Sequence, residues 1–279
     1  MIRSPLRYPG GKSRAVEKIA HLIPAFQEFR EPFVGGGSVF IYLKQKFPGR
    51  IFWINDIYTD LAVFWQEIQV DSESVVRQIW KWKSDFQNGK ELHKFLRENK
   101  PNFNRIEQAA AFFVFNRITF SGTTEAGGFS IQAFEKRFTD SSIERLGKTP
   151  EVLQELKITN LDYEEVINAD GENVFLFLDP PYFSATNSAL YGKNGNLHKN
   201  FDHERFAETL RRCPHRWLLT YDDSPYVREL FSFANIAGWN LMYGMRNITE
   251  KSSQKATELF ISNYAPETET RKQIAFNFA

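Results

Sequence analysis

With a single cysteine, Cys213, the chain of 279 residues cannot form an intramolecular disulfide or a thiolate metal cluster. That usage suits a reducing compartment. The five histidines (His21, His93, His198, His203, His215) are scattered; His198 and His203 flank a polar loop with no Cys or further His at ligand spacing nearby, so they read as surface or loop residues and no metal site is expected. Long apolar runs are also missing. The stretch from Ala109 to Phe115 is far too short to span a bilayer, and the opening MIRSPLRYPGGK has charge but no apolar core of a signal peptide. The expectation is a soluble, cytoplasmic protein with no membrane partner. The formal charge is only +1, so any nucleic-acid surface must be local and offset by acid elsewhere. No internal repeat or low-complexity segment stands out.

What is abundant is apolar and aromatic. Hydrophobic residues make up 42% of the chain, with 27 Phe, 10 Tyr and 6 Trp, enough for one good core plus a smaller accessory domain. In the first third, helix and strand signals alternate. Ser13 to Ile23 has apolar residues at helical spacing and stops at Pro24; Arg30 to Val34 reads as a strand, Ser38 to Phe47 as a helix, and Arg50 to Ile54 as a second strand. From about Leu61 to Pro150 charged helical segments dominate (Val75 to Phe86, Lys90 to Glu98, Ile106 to Ile118), followed by the Gly/Ser/Thr-rich stretch Ser121 to Ser130. Between Trp80 and Lys148 there are twelve Lys/Arg against eight Asp/Glu, a local excess of four in a chain whose total is +1. The α/β pattern then resumes. Lys157 to Thr159 is a strand, Asp162 caps a short helix, and strands are expected at Val174 to Leu178, Arg216 to Thr220, Asn240 to Tyr243 and Glu258 to Ser262. The polar, Asn/Gly-rich segment from Thr186 to Asn200 reads as a mobile loop.

Three motifs carry chemistry. The apolar run Val174 to Leu178 ends abruptly in Asp179-Pro180-Pro181-Tyr182. Two prolines cannot continue a ladder, so a buried parallel strand stops where its carboxyl end meets a crevice. The turn presents a carboxylate, a carbonyl on a rigid backbone and an aromatic face, which is what an amino-purine needs: acceptors for its NH2 and a ring to stack on. As a plain Pro-rich turn, the same residues would leave Tyr182 as packing. Upstream, Glu31-Pro32-Phe33-Val34-Gly35-Gly36-Gly37 is a strand ending in glycines that let backbone approach a ligand, and Asp56, one strand later, can accept bonds from ribose hydroxyls or cap the next helix. Arg7-Tyr8-Pro9-Gly10-Gly11-Lys12-Ser13 invites a phosphate-loop reading, which fails: Leu6 stands where that loop needs glycine, and no strand precedes it.

In their order and spacing, RYPGGK, EPFVGGG, the acid Asp56, a helical insert and DPPY closely resemble the Dam-type DNA adenine methyltransferases across essentially the whole chain. The resemblance implies a Rossmann-like class I AdoMet-dependent methyltransferase sheet, discontinuous over residues 1–60 and 151–279, with a mostly helical target-recognition domain inserted at 61–150. It implies transfer of a methyl group from S-adenosyl-L-methionine (AdoMet) to N6 of an adenine flipped out of duplex DNA, either by a solitary enzyme or by the functional partner of a cognate restriction endonuclease, acting as a monomer. Carried over by motif, Tyr8, Lys12, Pro32, Phe33, Gly35, Gly37, Asp56, Asp162, Tyr163 and Asp179 would contact AdoMet. Asp179, Pro180, Pro181 and Tyr182 would hold the target base. Asn116, Arg117, Ser121, Thr123 and Glu125 would face DNA from a loop or hairpin. Members that modify GATC carry a guanine-reading arginine in that hairpin; Glu125 stands at its position, and glutamate can accept from cytosine N4 but cannot donate to guanine. The amino-purine chemistry of DPPY would serve an RNA adenine equally well. A catalytically silent DNA-binding module would be expected to have lost Asp179 or Lys12, and both are present.

Overall fold

The computed structural model describes residues 1–8, 10–124, 127–185, 201–240 and 257–265. Seven strands, β1 (Glu28–Glu31), β2 (Ile51–Asn55), β3 (Leu156–Thr159), β4 (Val174–Leu178), β5 (Arg216–Asp222), β6 (Asn235–Asn240) and β7 (Thr257–Ser262), form one sheet in the order β3-β2-β1-β4-β5-β7-β6. The first five in that order pair in parallel, and β7 runs antiparallel between β5 and β6. The order reverses between β1 and β4, which opens a crevice beyond their carboxyl ends. This mixed, mostly parallel sheet with helices packed against it matches the expected class I methyltransferase architecture.

Strand β4 shows why a continuous apolar run belongs at the centre of such a sheet. All five residues of Val174-Phe175-Leu176-Phe177-Leu178 are buried. Alternation sends Phe175 and Phe177 to one face, beside Phe29 and Phe52, and Leu176 and Leu178 to the other, beside Trp217 and Leu219. Each such side chain contributes about 1.5–3 kcal/mol on full burial.

The first of these two cores continues without a break into the helical segment. Helix α1 (Val16–Leu22) and α2 (Ser38–Lys46) precede the long α3 (Thr59–Asp85), which bends at Asp71, the one residue inside it with non-helical angles. Asp71 accepts the Ser74 N–H, so the second half starts with its own cap. Helices α4 (Gly89–Asn99) and α5 (Arg105–Ile118) follow, the latter opened by a reciprocal Asn104–Glu107 capping box. The apolar run that was too short for a membrane is the middle of α5, buried from Ala109 through Ile118 against α3. Helices α6 (Ile131–Arg137), α7 (Asp140–Gly147) and α8 (Pro150–Leu153) return the chain to β3. No helix among the described residues is long and apolar enough to cross a membrane.

Two elements differ from expectation. The strand read at Arg30 to Val34 lies at Glu28–Glu31, because Pro32 has no N–H to continue the ladder. The strand at Asn235–Asn240 is not among those expected; of the strand read at Asn240 to Tyr243 only Asn240 is described, and 241–243 lie outside the described residues, as does the segment Thr186 to Asn200 expected to be a mobile loop. Asn235 and Gly238, both poor strand formers, concealed that edge strand.

Helix α9 (Tyr163–Asn168) is tied to the sheet by a buried charge that sequence pattern does not reveal. Arg30, 1% exposed within β1, donates to the carbonyls of Val166 (3.0 Å), Ala169 (2.6 Å) and Asp170 (2.7 Å) and pairs with Glu28 at 2.6 Å. Replacing it with Leu would leave the Val166 and Asp170 carbonyls and the Glu28 carboxylate without this donor, with only His215 remaining on the Ala169 carbonyl, so Arg30→Leu should cost about 3–5 kcal/mol. Urea unfolding would measure this; a loss below about 1 kcal/mol would mean that water replaces the guanidinium.

Candidate active site

The site is built from three strand ends. After β1, the chain turns through Gly35 (φ 46°) and Gly37 (φ 68°), backbone angles that side chains disfavour. A Cβ on Gly35 would lie 2.8 Å from the Tyr8 ring, so glycine is also what lets that ring close over the turn. Beyond β2, the Asp56 carboxylate accepts the Gly35 N–H and the Tyr58 N–H, each at 3.0 Å. It thus sits one turn ahead of α3 as a near-cap and fixes the glycine turn at the same time.

Beyond β4 stands Asp179. Lys12, only 3% exposed, donates to both of its carboxylate oxygens (2.8 and 2.9 Å) and to the Gly10 carbonyl (2.9 Å). Thr220 of β5 donates to the same carboxylate at 2.7 Å. The Lys12 ammonium also lies 5.1 Å from the centre of the Tyr182 ring. Tyr182 stacks on Tyr221 with centroids 5.7 Å apart, and its hydroxyl donates to Glu258 of β7 at 3.0 Å. Asp222 accepts the N–H groups of Phe183 and Ser184, which fixes the chain as it leaves the motif.

Between these strand ends lies a cavity of about 470 Å³. Tyr8, Lys12, Pro32, Phe33, Gly35, Gly37, Asp56, Asp162, Tyr163 and the whole Asp179–Tyr182 turn line it. The structure therefore brings together every residue expected at the cofactor and the target base. Its wall is aromatic on one side, where Phe33 and Tyr163 pack with centroids 5.5 Å apart. Its floor is acidic. Burial pushes Glu31 well above the usual carboxylate range, with Asp179 and Asp56 adding to the shift against the opposing Phe40 N–H bond. Burial likewise raises Asp56 to about 6 against its two backbone N–H bonds. Asp162 is more occupied than its motif suggested: it caps α9 through the Glu164 N–H and pairs with Arg205.

The residues expected to face DNA are placed differently. Asn116 is fully buried, accepting the Arg7 N–H (2.9 Å) and donating to the Arg7 (2.7 Å) and Gly122 (3.2 Å) carbonyls. Arg117, 6% exposed, donates to the Pro5 carbonyl and lies over the Phe113 ring. Burial first, then the neighbouring Arg145, Arg7 and Arg137, hold its guanidinium down at about 9. Their burial corrects the expectation: these two side chains fasten the N-terminal segment that carries Tyr8 and Lys12. Thr123 is buried and bonds the Phe120 carbonyl. Ser121 lies in a short helical turn, Phe120–Gly122, and Glu125 lies outside the described residues. The flanking backbone does form a hairpin-like loop, closed by an antiparallel bridge between Thr119 and Phe129, and Phe120 projects from it, 66% exposed.

Sequence reasoning missed Glu31, Thr220, Glu258 and Arg205. Glu31 adjoins Pro32 in a quoted motif and could have been found as an acid at a strand end. The others sit in ordinary strand and helix patterns with no local signal.

With this geometry in hand, comparison with known proteins is decisive. Residues 8–245 match the model of the D12 class N6 adenine-specific DNA methyltransferases. The chain belongs to this family. It is 27% identical to a DNA N-6-adenine-methyltransferase of Escherichia phage P1 over 82% of its own length and 31% of the phage protein. It is 24% identical to the type II methyltransferase M.MjaIII of Methanocaldococcus jannaschii, covering 93% of the chain and 98% of that protein. A DNA adenine methylase of Vibrio cholerae is 28% identical over 69% of the chain and 71% of its own length. The chain is thus a DNA N6-adenine methyltransferase by family, and the reading as an RNA enzyme is not favoured. Members of such a family use AdoMet in general.

The raised Asp56 carboxyl has a consequence for this methyltransferase on its own. A folded-state value of about 6 against an ordinary 3.8 means that the folded protein binds this proton more tightly than the unfolded chain. Stability from this group is therefore greatest below about pH 4 and is lost as pH rises through 6. Asp56→Asn, which keeps an acceptor but does not titrate, should flatten the fall in urea midpoint between about pH 4 and 6. An unchanged pH slope in the variant would show that the carboxyl is not strained by burial.

Proposed function

We propose that the chain transfers a methyl group from AdoMet to N6 of an adenine turned out of duplex DNA, with AdoMet held between Tyr8, Lys12, the Pro32–Gly37 turn, Asp56 and the Phe33–Tyr163 wall. The inserted helical segment, 61–150, is assigned as the target-recognition domain. The observation that carries this reading is the continuity of one cavity from Asp56 and the glycine turn to the Asp179–Tyr182 turn. A volume of about 470 Å³ is in the range of small-molecule sites. The acids Glu31, Asp56 and Asp179 on the cavity wall offer oxygen acceptors for the hydroxyl and ammonium groups of AdoMet. The type II name of the archaeal relative supports a cognate restriction endonuclease as functional partner.

AdoMet, when bound, supplies an electrophilic methyl group on a positively charged sulfur. The protein's task is to make a poor nucleophile attack it, because the adenine N6 lone pair is delocalised into the ring. In this reading the Asp179 carboxylate and the Pro180 carbonyl accept the two N6–H bonds, which favours a pyramidal nitrogen whose lone pair points away from the ring. As nitrogen gains the methyl group it must shed a proton, and the Asp179 carboxylate is the acceptor aligned with that N–H. Lys12 bonds both Asp179 oxygens and lies over Tyr182, and Thr220 takes the second position on Oδ1, so the acceptor position left for an arriving amino group is on Oδ2. Turning the base out costs about a few kcal/mol, and stacking on an aromatic platform returns roughly 1–3 kcal/mol.

Asp179→Ala should weaken AdoMet binding and lower turnover on duplex DNA by about 10²–10³-fold, the typical loss for one preorganised polar group. Transfer of a tritiated methyl group from AdoMet to duplex DNA, with RNA as the control acceptor, measures it. A variant keeping most of the wild-type rate would remove Asp179 from the role assigned here.

A further inference from the structure

Behind the Asp179–Tyr182 turn lies a second carboxylate pair that none of the motifs contains. Glu258 of β7 and Asp222 of β5 face each other across the antiparallel pairing. Together they take up the first polar groups that follow the two prolines: Glu258 the Tyr182 hydroxyl, Asp222 the N–H groups of Phe183 and Ser184. Glu258 is only 2% exposed, and its second carboxylate oxygen is buried with no partner among the described residues. Burying a carboxylate at the cost of an unsatisfied oxygen is a poor way to stabilise a fold; an apolar residue of similar volume would be cheaper. The tyrosine that it holds carries Lys12 near one face and Tyr221 stacked against the ring, and it could not swing about its χ1 bond without losing this anchor, while the Tyr221 stacking restrains the ring plane.

We propose that Glu258 is a positioning residue for methyl transfer: through the hydroxyl it holds the Tyr182 ring at the place where it would receive the flipped adenine, against the Tyr221 ring that sets its plane. It touches neither the base nor the cofactor and acts through Tyr182 alone. The inference rests on the reading of Tyr182 as the base platform. Preorganisation is what such an anchor supplies, since an aromatic side chain fixed before the base arrives loses no rotamer freedom on stacking.

The test is a double-mutant cycle on the full chain, combining Tyr182→Phe, which keeps the ring and deletes the hydroxyl, with Glu258→Leu, which keeps bulk and deletes the acceptor. Each single variant should lose roughly tenfold in kcat/KM on matched duplex DNA, the worth of one buried hydrogen bond. The double variant should be no worse than either single. AdoMet affinity should stay within about twofold, Glu258→Gln, which can still accept from the hydroxyl, should recover most of the rate, and duplexes with the target adenine already mispaired should suffer less because flipping is cheaper. Additive losses, a wild-type rate in Tyr182→Phe, or equal losses on matched and mispaired DNA would overturn the inference. Tyr182→Ala separates the two readings. If it alone is harmless, the platform assignment fails; if it is damaging while Tyr182→Phe and Glu258→Leu are not, only the role of Glu258 fails.

Discussion

The ion pair between Lys12 and Asp179 is the contact on which the site depends. It joins the N-terminal turn to the end of the central strand, 167 residues apart, and it is almost closed to water on the lysine side. A buried pair of this kind is not a strong source of net stability, because desolvation offsets much of the attraction. Its value is positional. Lys12 places a positive charge on the Asp179 carboxylate and ties the turn that carries Tyr8 to the end of β4. Much of the remaining structure serves to hold these two residues where they are. Asn116 and Arg117 pin residues 5–7 from the end of α5, Thr220 braces Asp179 from β5, and Glu258 and Asp222 hold the turn that follows.

The fold explains why this meeting happens at a strand end. Reversal of strand order between β1 and β4 leaves their carboxyl ends side by side at the edge of a crevice. Into that gap the sequence places backbone that cannot continue a ladder: Pro32 and the glycines after β1, Pro180 and Pro181 after β4. The same residues that stop the strands make the cavity. The helical insert is not a loose appendage to this core, since α3 and α5 share their apolar packing with Phe29, Phe52 and Phe175 on the sheet. The insert and the sheet meet through α5, whose carboxyl end holds the N-terminal segment on one side and opens the Phe120 loop on the other.

How much of this was legible depended on whether the signal was local. Strand β4 was readable because burial on both faces demands an unbroken apolar run, and DPPY marks its end without ambiguity. Gly35, Gly37 and Asp56 were readable because a ligand-facing turn needs those residue types in that order. Asn116 and Arg117 were misjudged for a physical reason: polar and charged residues at the end of a helix normally face water, and their burial depends on carbonyls more than a hundred residues earlier. Arg30 hides in the same way inside a strand. Thr220 and Glu258 follow ordinary strand alternation, so nothing in their neighbourhoods distinguishes an active-site brace from a surface residue.

The central claim is that this cavity methylates adenine N6 in DNA. The most direct measurement is single-molecule sequencing of DNA from a host without other adenine methylation, with and without the expressed chain. N6-methyladenine at one short recurring sequence context, present only with the chain, is the predicted result. Unmodified DNA from cells containing the folded protein, or a modified base other than adenine, would contradict the account.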